Sequence, residues 1–147
     1  MSMPLHPLIV HFPIALLFLA AVVQILALWR PRLFDWPADA LLGLGFISGI
    51  IAYMTGDGGE DYARSVFGAT GAMIHKHESM AFDALVVFGV LLALKVLMRL
   101  PWVKKRFDKA LRWVAPLLLV ISLAGLVLIY LTGHYGGEIV YHGGTAQ

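Results

Sequence analysis

At 147 residues the chain has the length of one domain, but 60% hydrophobic residues, a mean hydropathy of +0.82 and only 14% charged residues mark an integral membrane protein. The absence of cysteine excludes iron–sulfur ligation, disulfides, a cysteine zinc site and haem attached through Cys-x-x-Cys-His, so any cofactor must be held by His, Met, carboxylate or backbone. The formal charge of +2 does not indicate nucleic acid binding, because the basic residues gather at helix ends rather than in a patch interleaved with aromatics.

A membrane-crossing helix needs about 20 mostly apolar residues, and four segments qualify: residues 7–29, 38–54, 79–98 and 113–131. The first opens on "HPLIVHFPIALLF", with two histidines and two prolines at the mouth of an apolar run. Pro7 fits the first helical position, where its missing N–H costs nothing. Pro13 within a continuing helix would free the carbonyl of Ile9 and kink the chain so that His11 points inward. Alternatively, the helix begins near Pro13 and the preceding segment lies in the interface. The second span is short, and its Gly43, Gly45, Ser48 and Gly49 offer small surfaces for close helix packing. In the third, Asp83 is an ionisable residue about one and a half turns in, either a proton- or ion-handling group or merely wet. Lys95 and Arg99 near its other end are expected to snorkel to the surface. Helices satisfy their own backbone in lipid, so the expected fold is all-α, a four-helix integral membrane bundle in one domain, 1–147.

Nine of the eleven lysines and arginines lie at one end: Arg30 and Arg32 in the first connection, and Lys95, Arg99, Lys104, Lys105, Arg106, Lys109 and Arg112 around the third. By the positive-inside rule that end is cytoplasmic, which places both termini and residues 55–76 outside. Met1–Leu5 lacks a basic residue, so a first helix inserted tail-out is expected rather than a cleaved signal peptide. Trp36, Trp102, Trp113, Tyr53, Tyr130 and Tyr141 fit interfacial aromatic belts. All six histidines fall on the outer side: His6, His11, His75, His77, His134 and His142. Asp57, Glu60, Asp61, Glu78 and Glu138 share it, with Met3, Met54, Met73 and Met80, so hard and soft ligands are both present.

"YMTGDGGEDY" at Tyr53 and "YLTGHYGGEIVY" at Tyr130 look alike. In each, Thr-Gly is expected to close an outward-running helix with a left-handed glycine cap, and Gly136 and Gly137 in the second copy to line the outer rim. "HFPIALLF" from His11 can be laid on "HESMAFDALVVF" from His77, which pairs His11 with His77 and predicts two pseudo-symmetric helical hairpins. Two histidines on opposite walls suit the axial positions of a non-covalent b-type haem, with His6, His142 and the two glycines near the propionates.

"HPLIVHFPIALL" and "TGHYGGEIVYHGG" resemble the signatures of the domain of unknown function 2231 family of small bacterial membrane proteins, and the resemblance covers essentially the whole chain. It implies four membrane helices, a bacterial inner-membrane location and motif histidines at His6, His11 and His77, with Glu78 beside the last. Related segments joined to c-type cytochrome domains imply redox work by association. Here Tyr141 and His142 are adjacent, whereas the family's terminal signature separates them by a residue.

The first expectation is therefore a membrane electron-transfer module with haem b ligated by His11 and His77, exchanging electrons with a quinone, a c-type cytochrome or another membrane redox subunit, as a monomer or homo-oligomer. The alternatives are a copper or zinc site built from the outer set, His75, His134, Met73, Met80, Glu78 and Glu138, or a structural subunit. On a continuous helix His75 and His77 point about 200° apart, so both reach one ion only if the segment is extended. No His-Glu-x-x-His, Walker, dinucleotide or nucleophile-elbow motif is present, so a stand-alone enzyme is not indicated.

Overall fold

The computed structural model describes residues 5–107 and 113–142, and every element among them is helical. Met3 among the expected ligands, and Lys109 and Arg112 among the topology signals, lie outside the described residues. The elements are α1 (Leu5–Ile9), α2 (His11–Trp29), α3 (Pro31–Met54), α4 (Gly56–Phe67), α5 (Gly71–Arg99), α6 (Pro101–Phe107) and α7 (Val114–His142). Among the described residues four helices are long and apolar enough to cross a membrane, His6–Trp29, Pro31–Met54, Gly71–Arg99 and Val114–His142.

Prolines set two of the breaks. Arg30 (φ −131°, ψ 66°) and Leu100 (φ −71°, ψ 126°) precede Pro31 and Pro101, whose rings exclude the helical conformation from the residue before them. Each proline then opens the next helix, where a missing N–H is harmless. Thr70 caps α5 by accepting from the Met73 amide, and the helix starts two turns before the span expected from hydropathy. α3 likewise begins seven residues early and runs through Pro37, and α7 continues well past Leu131 to His142.

The expected Thr-Gly caps are overturned. Gly68, at the end of α4, is the one described residue with a left-handed backbone (φ 68°). Gly133, Gly136 and Gly137 are helical within α7, and Gly56 opens α4. Of these, only Gly136 serves close packing, since a Cβ there would stand 3.2 Å from the His77 ring while one at Gly133 or Gly137 would meet nothing within 4 Å.

α2 packs along α3 and α5 along α7, giving two hairpins, and the hairpins meet through α2 against α7 and α3 against α5. Leu17, Ala20, Ala21, Leu42, Ala84, Phe88, Leu91, Leu118 and Ile129 fill the centre. A Cβ added at Gly45 would stand 2.8 Å from Leu17 Cδ2, and one at Gly125 2.7 Å from Phe88 Cζ, so these two glycines let large side chains lie directly on neighbouring backbone. Buried positions on α2 and α5 recur seventy-one residues apart: Pro13 with Ala84, Leu17 with Phe88, Ala20 with Leu91, Gln24 with Lys95. α4 lies across the end of the bundle that carries the histidines, held by Ala63 and Phe67 against Ala69, Met73, Ile74 and Ile139.

Candidate functional site

His6 and His77 face each other at the histidine end, ring centroids 6.4 Å apart and planes at 87°. Each is aimed by the opposite member of its own hairpin. His6 Nδ1–H donates to Ala52 O (3.0 Å) and approaches Thr55 Oγ1 (3.1 Å), while the Thr55 hydroxyl itself donates to Ala52 O (2.7 Å). His77 Nδ1–H donates to Thr132 O (3.0 Å), and Thr132 Oγ1 donates to Leu128 O (2.8 Å). A carbonyl can only accept, so the proton of each neutral imidazole sits on Nδ1 and the lone pair on Nε2. That is the tautomer and second-sphere support expected of a histidine that ligates a metal.

The glycines of the repeat explain how the rings fit. A Cβ on Gly59 would lie 3.2 Å from His6 Cβ and Cδ2, and one on Gly136 would lie 3.2 Å from His77 Cε1. Gly59 and Gly136 each follow the threonine of a Thr-Gly signature by four residues, one helical turn. The glycine therefore recurs at one offset from the threonine, while the accepting carbonyl does not: it is Ala52, three residues before Thr55, for His6 and Thr132 itself for His77.

The sequence pairing of His11 with His77 is not what the chain brings together. The backbone stays helical through Val10 (φ −61°, ψ −27°), and His11, about 140° around the helix from His6, is exposed with its Nδ1–H turned back to Pro7 O at 2.8 Å. His6, one element earlier, takes the place across from His77. His75 is exposed on the other side of α5, as a continuous helix requires. Met73 packs beneath α4, and Met80 and Glu78 are partly buried on α5. His134 is exposed, stacked on Tyr130 at 6.1 Å and 3.3 Å from Glu138. His142 is exposed in the last described turn. Gly137 meets nothing within 4 Å, in contrast to Gly136. Asp83 faces outward rather than into the bundle. Among the described residues no three His, Asp or Glu groups converge on a point where a metal ion could be held.

A second polar cluster sits at the opposite, basic end and was missed in the sequence. Lys95 does not snorkel: it is 6% exposed, pairs with Asp35 (3.0 Å) and Asp39 (2.8 Å), and donates to Gln24 Oε1. Arg99 reaches the same two carboxylates, Asp35 at 3.3 Å and Asp39. Apolar stems let a lysine bend toward water, but here two carboxylates on α3 and a buried amide on α2 hold the ammonium inside. The available signal was the spacing: Gln24 lies eighteen residues after His6, and Lys95 eighteen after His77.

A family profile described as predicted membrane protein (DUF2231) matches residues 2–147. No curated protein and no solved structure matches the chain.

Proposed function

The chain belongs to the DUF2231 family of predicted membrane proteins, and on that premise we propose that it is a membrane electron-transfer module that holds a b-type haem near its histidine end through His6 and His77. The observation that carries this reading is the matched pair of imidazoles, each with Nδ1–H bound to a backbone carbonyl and Nε2 left to ligate. Metal–imidazole bonds of about 2 Å on either side of one ion, plus the depth of two rings, amount to about 6 Å between ring centres, close to the 6.4 Å separation. The donor set also discriminates. Zinc asks for three or four protein ligands, whereas a porphyrin brings four nitrogens and asks for two.

The residues of the chain have defined parts in this reading. The carbonyls of Ala52 and Thr132 fix ring orientation and keep the proton on Nδ1, which raises the donor strength of Nε2. Gly59 and Gly136 let both rings lie against helix backbone, and α4 covers the pair. Bound haem would supply reversible one-electron chemistry. Below the histidines, Leu17, Ala20, Ala84, Phe88 and Leu91 belong to the apolar centre of the bundle, and Gln24 and Lys95 are buried toward its other end. The exchange partners are a quinone in the bilayer or a c-type cytochrome at the histidine end, taken to be the outer face of a bacterial inner membrane.

Protein purified in mild detergent from haem-replete cells tests the reading by its visible spectrum before and after dithionite. A Soret band with sharp α and β bands on reduction is expected. His6→Ala and His77→Ala should each abolish the low-spin spectrum, and His11→Ala and His75→Ala should keep it. Stoichiometric copper or zinc without porphyrin, or a colourless and metal-free preparation, would overturn the haem assignment.

A further inference from the structure

The charged cluster at the basic end shares its framework with the histidine pair. His6 and Gln24 lie on the α1–α2 rod and His77 and Lys95 on α5, each pair eighteen residues apart. Eighteen residues is five full turns, about 27 Å of helix, so each rod presents its two polar groups on nearly one face. The rods therefore meet twice across the centre of the bundle: imidazole to imidazole at one end, Lys95 ammonium to Gln24 amide at the other. Between these points both rods give apolar side chains to one core, Leu17 and Ala20 from α2 and Phe88 and Leu91 from α5, and such packing tolerates sliding far better than a directional hydrogen bond does.

We propose that Gln24 and Lys95, backed by Asp35, Asp39 and Arg99, are positioning residues that set the relative register of the two hairpins and so the approach of His6 to His77. Lys95 is the hinge pin of the arrangement. Its two carboxylates, both on α3, tie α5 to the first hairpin, and its hydrogen bond to Gln24 ties α5 to the rod that carries His6. Arg99, one turn further along α5, repeats the tie to α3 and resists rotation of α5 about Lys95. The cations and carboxylates balance two against two, so the cluster holds geometry without adding net charge to the bundle. The inference rests on the reading of His6 and His77 as the functional pair.

Because the chain has no cysteine, full-length protein carrying Leu8→Cys and His75→Cys, both exposed positions, can be spin-labelled on α1 and α5 with His6 and His77 intact. The distance between the two nitroxides is then measured in detergent by pulsed electron resonance. Gln24→Leu severs the crossing hydrogen bond while leaving Lys95 its carboxylates. In this variant the distribution should widen and shift by about 1–2 Å, the scale of helix shifts at packed interfaces. Lys95→Met should do more, because it also removes the pairs with Asp35 and Asp39 that tie α5 to α3. An unmoved distribution in both Gln24→Leu and Lys95→Met overturns the proposal. The measurement needs no cofactor, so a colourless protein leaves this test standing, and a haem-loaded protein with unmoved labels sinks the positioning role alone.

Discussion

A hydrogen atom on Cα is what allows an imidazole to rest on helix backbone, and Gly136 and Gly137 separate this demand from the ordinary cost of glycine. A Cβ at Gly137 meets nothing within 4 Å, whereas one at Gly136 comes within 3.2 Å of the His77 ring. Gly137→Ala is therefore expected to stabilise the protein by about 0.5–1 kcal/mol, the usual gain of alanine over glycine inside a helix. Gly136→Ala should lose that gain to ring displacement and should lower cofactor occupancy, and Gly59→Ala should act likewise on His6. Thermal unfolding in detergent beside haem content per protein checks all three; equal behaviour of Gly136→Ala and Gly137→Ala would remove the seating role. At this scale the sequence was legible in part. Its polarity placed all six histidines at one end, but residues 6 and 11 lie about 140° apart on an ideal helix. Laying "HFPIALLF" on "HESMAFDALVVF" picks His11, whereas His6 stands seven, eleven and eighteen residues before the inward Pro13, Leu17 and Gln24 and so shares their face.

The helices that span were readable because apolar length is a property of each segment alone, and the stops at Arg30 and Leu100 because proline constrains its predecessor. α4 was not. Its twelve residues carry three glycines and four charged groups, and Ala63 and Phe67 pack on a cluster that joins the nearby Ala69 and Ile74 to Ile139, far along the chain. The sequence does mark its end, since Gly68 alone among the described residues takes a left-handed backbone. Gly68→Ala should cost about 1–2 kcal/mol, the penalty of that conformation for a residue with Cβ, and Gly68→Asn should cost less. Hydrogen exchange resolves whether the loss is local: amides of α4 should exchange faster in Gly68→Ala while the centres of α2 and α5 keep their protection. Uniform loss of protection would mean that α4 is part of the bundle's cooperative core rather than a separately held cover. A matching test of close approach lies deep in the bundle, where Gly125→Ala forces a methyl to within 2.7 Å of Phe88 Cζ; overpacking of this kind costs about 1–3 kcal/mol.

The whole molecule is polar at both ends for different reasons. Nine of eleven lysines and arginines gather with three of the nine acidic residues at the basic end, and the histidine end has two cations against six acids. This asymmetry was plain in the sequence. The inner partnership of Gln24, Asp35, Asp39 and Lys95 was not, because it needs three helices brought together before a buried lysine finds its carboxylates. Orientation depends on the lysines and arginines of short connections near the helix ends rather than on net charge, so the ion pairs of Lys95 and Arg99 in the folded protein do not weaken the signal from Arg30, Arg32 and Lys104–Arg106. An even number of spans returns the chain to the side on which it began. Both termini should therefore lie outside the cytoplasm with the histidine end. A reporter active only outside the cytoplasm should work when fused after Gln147, and a reporter active only inside should work when inserted next to Lys105. The reverse result would place His6 and His77 at the cytoplasmic face, and any electron partner at that end would then have to be a cytoplasmic protein or a carrier within the bilayer.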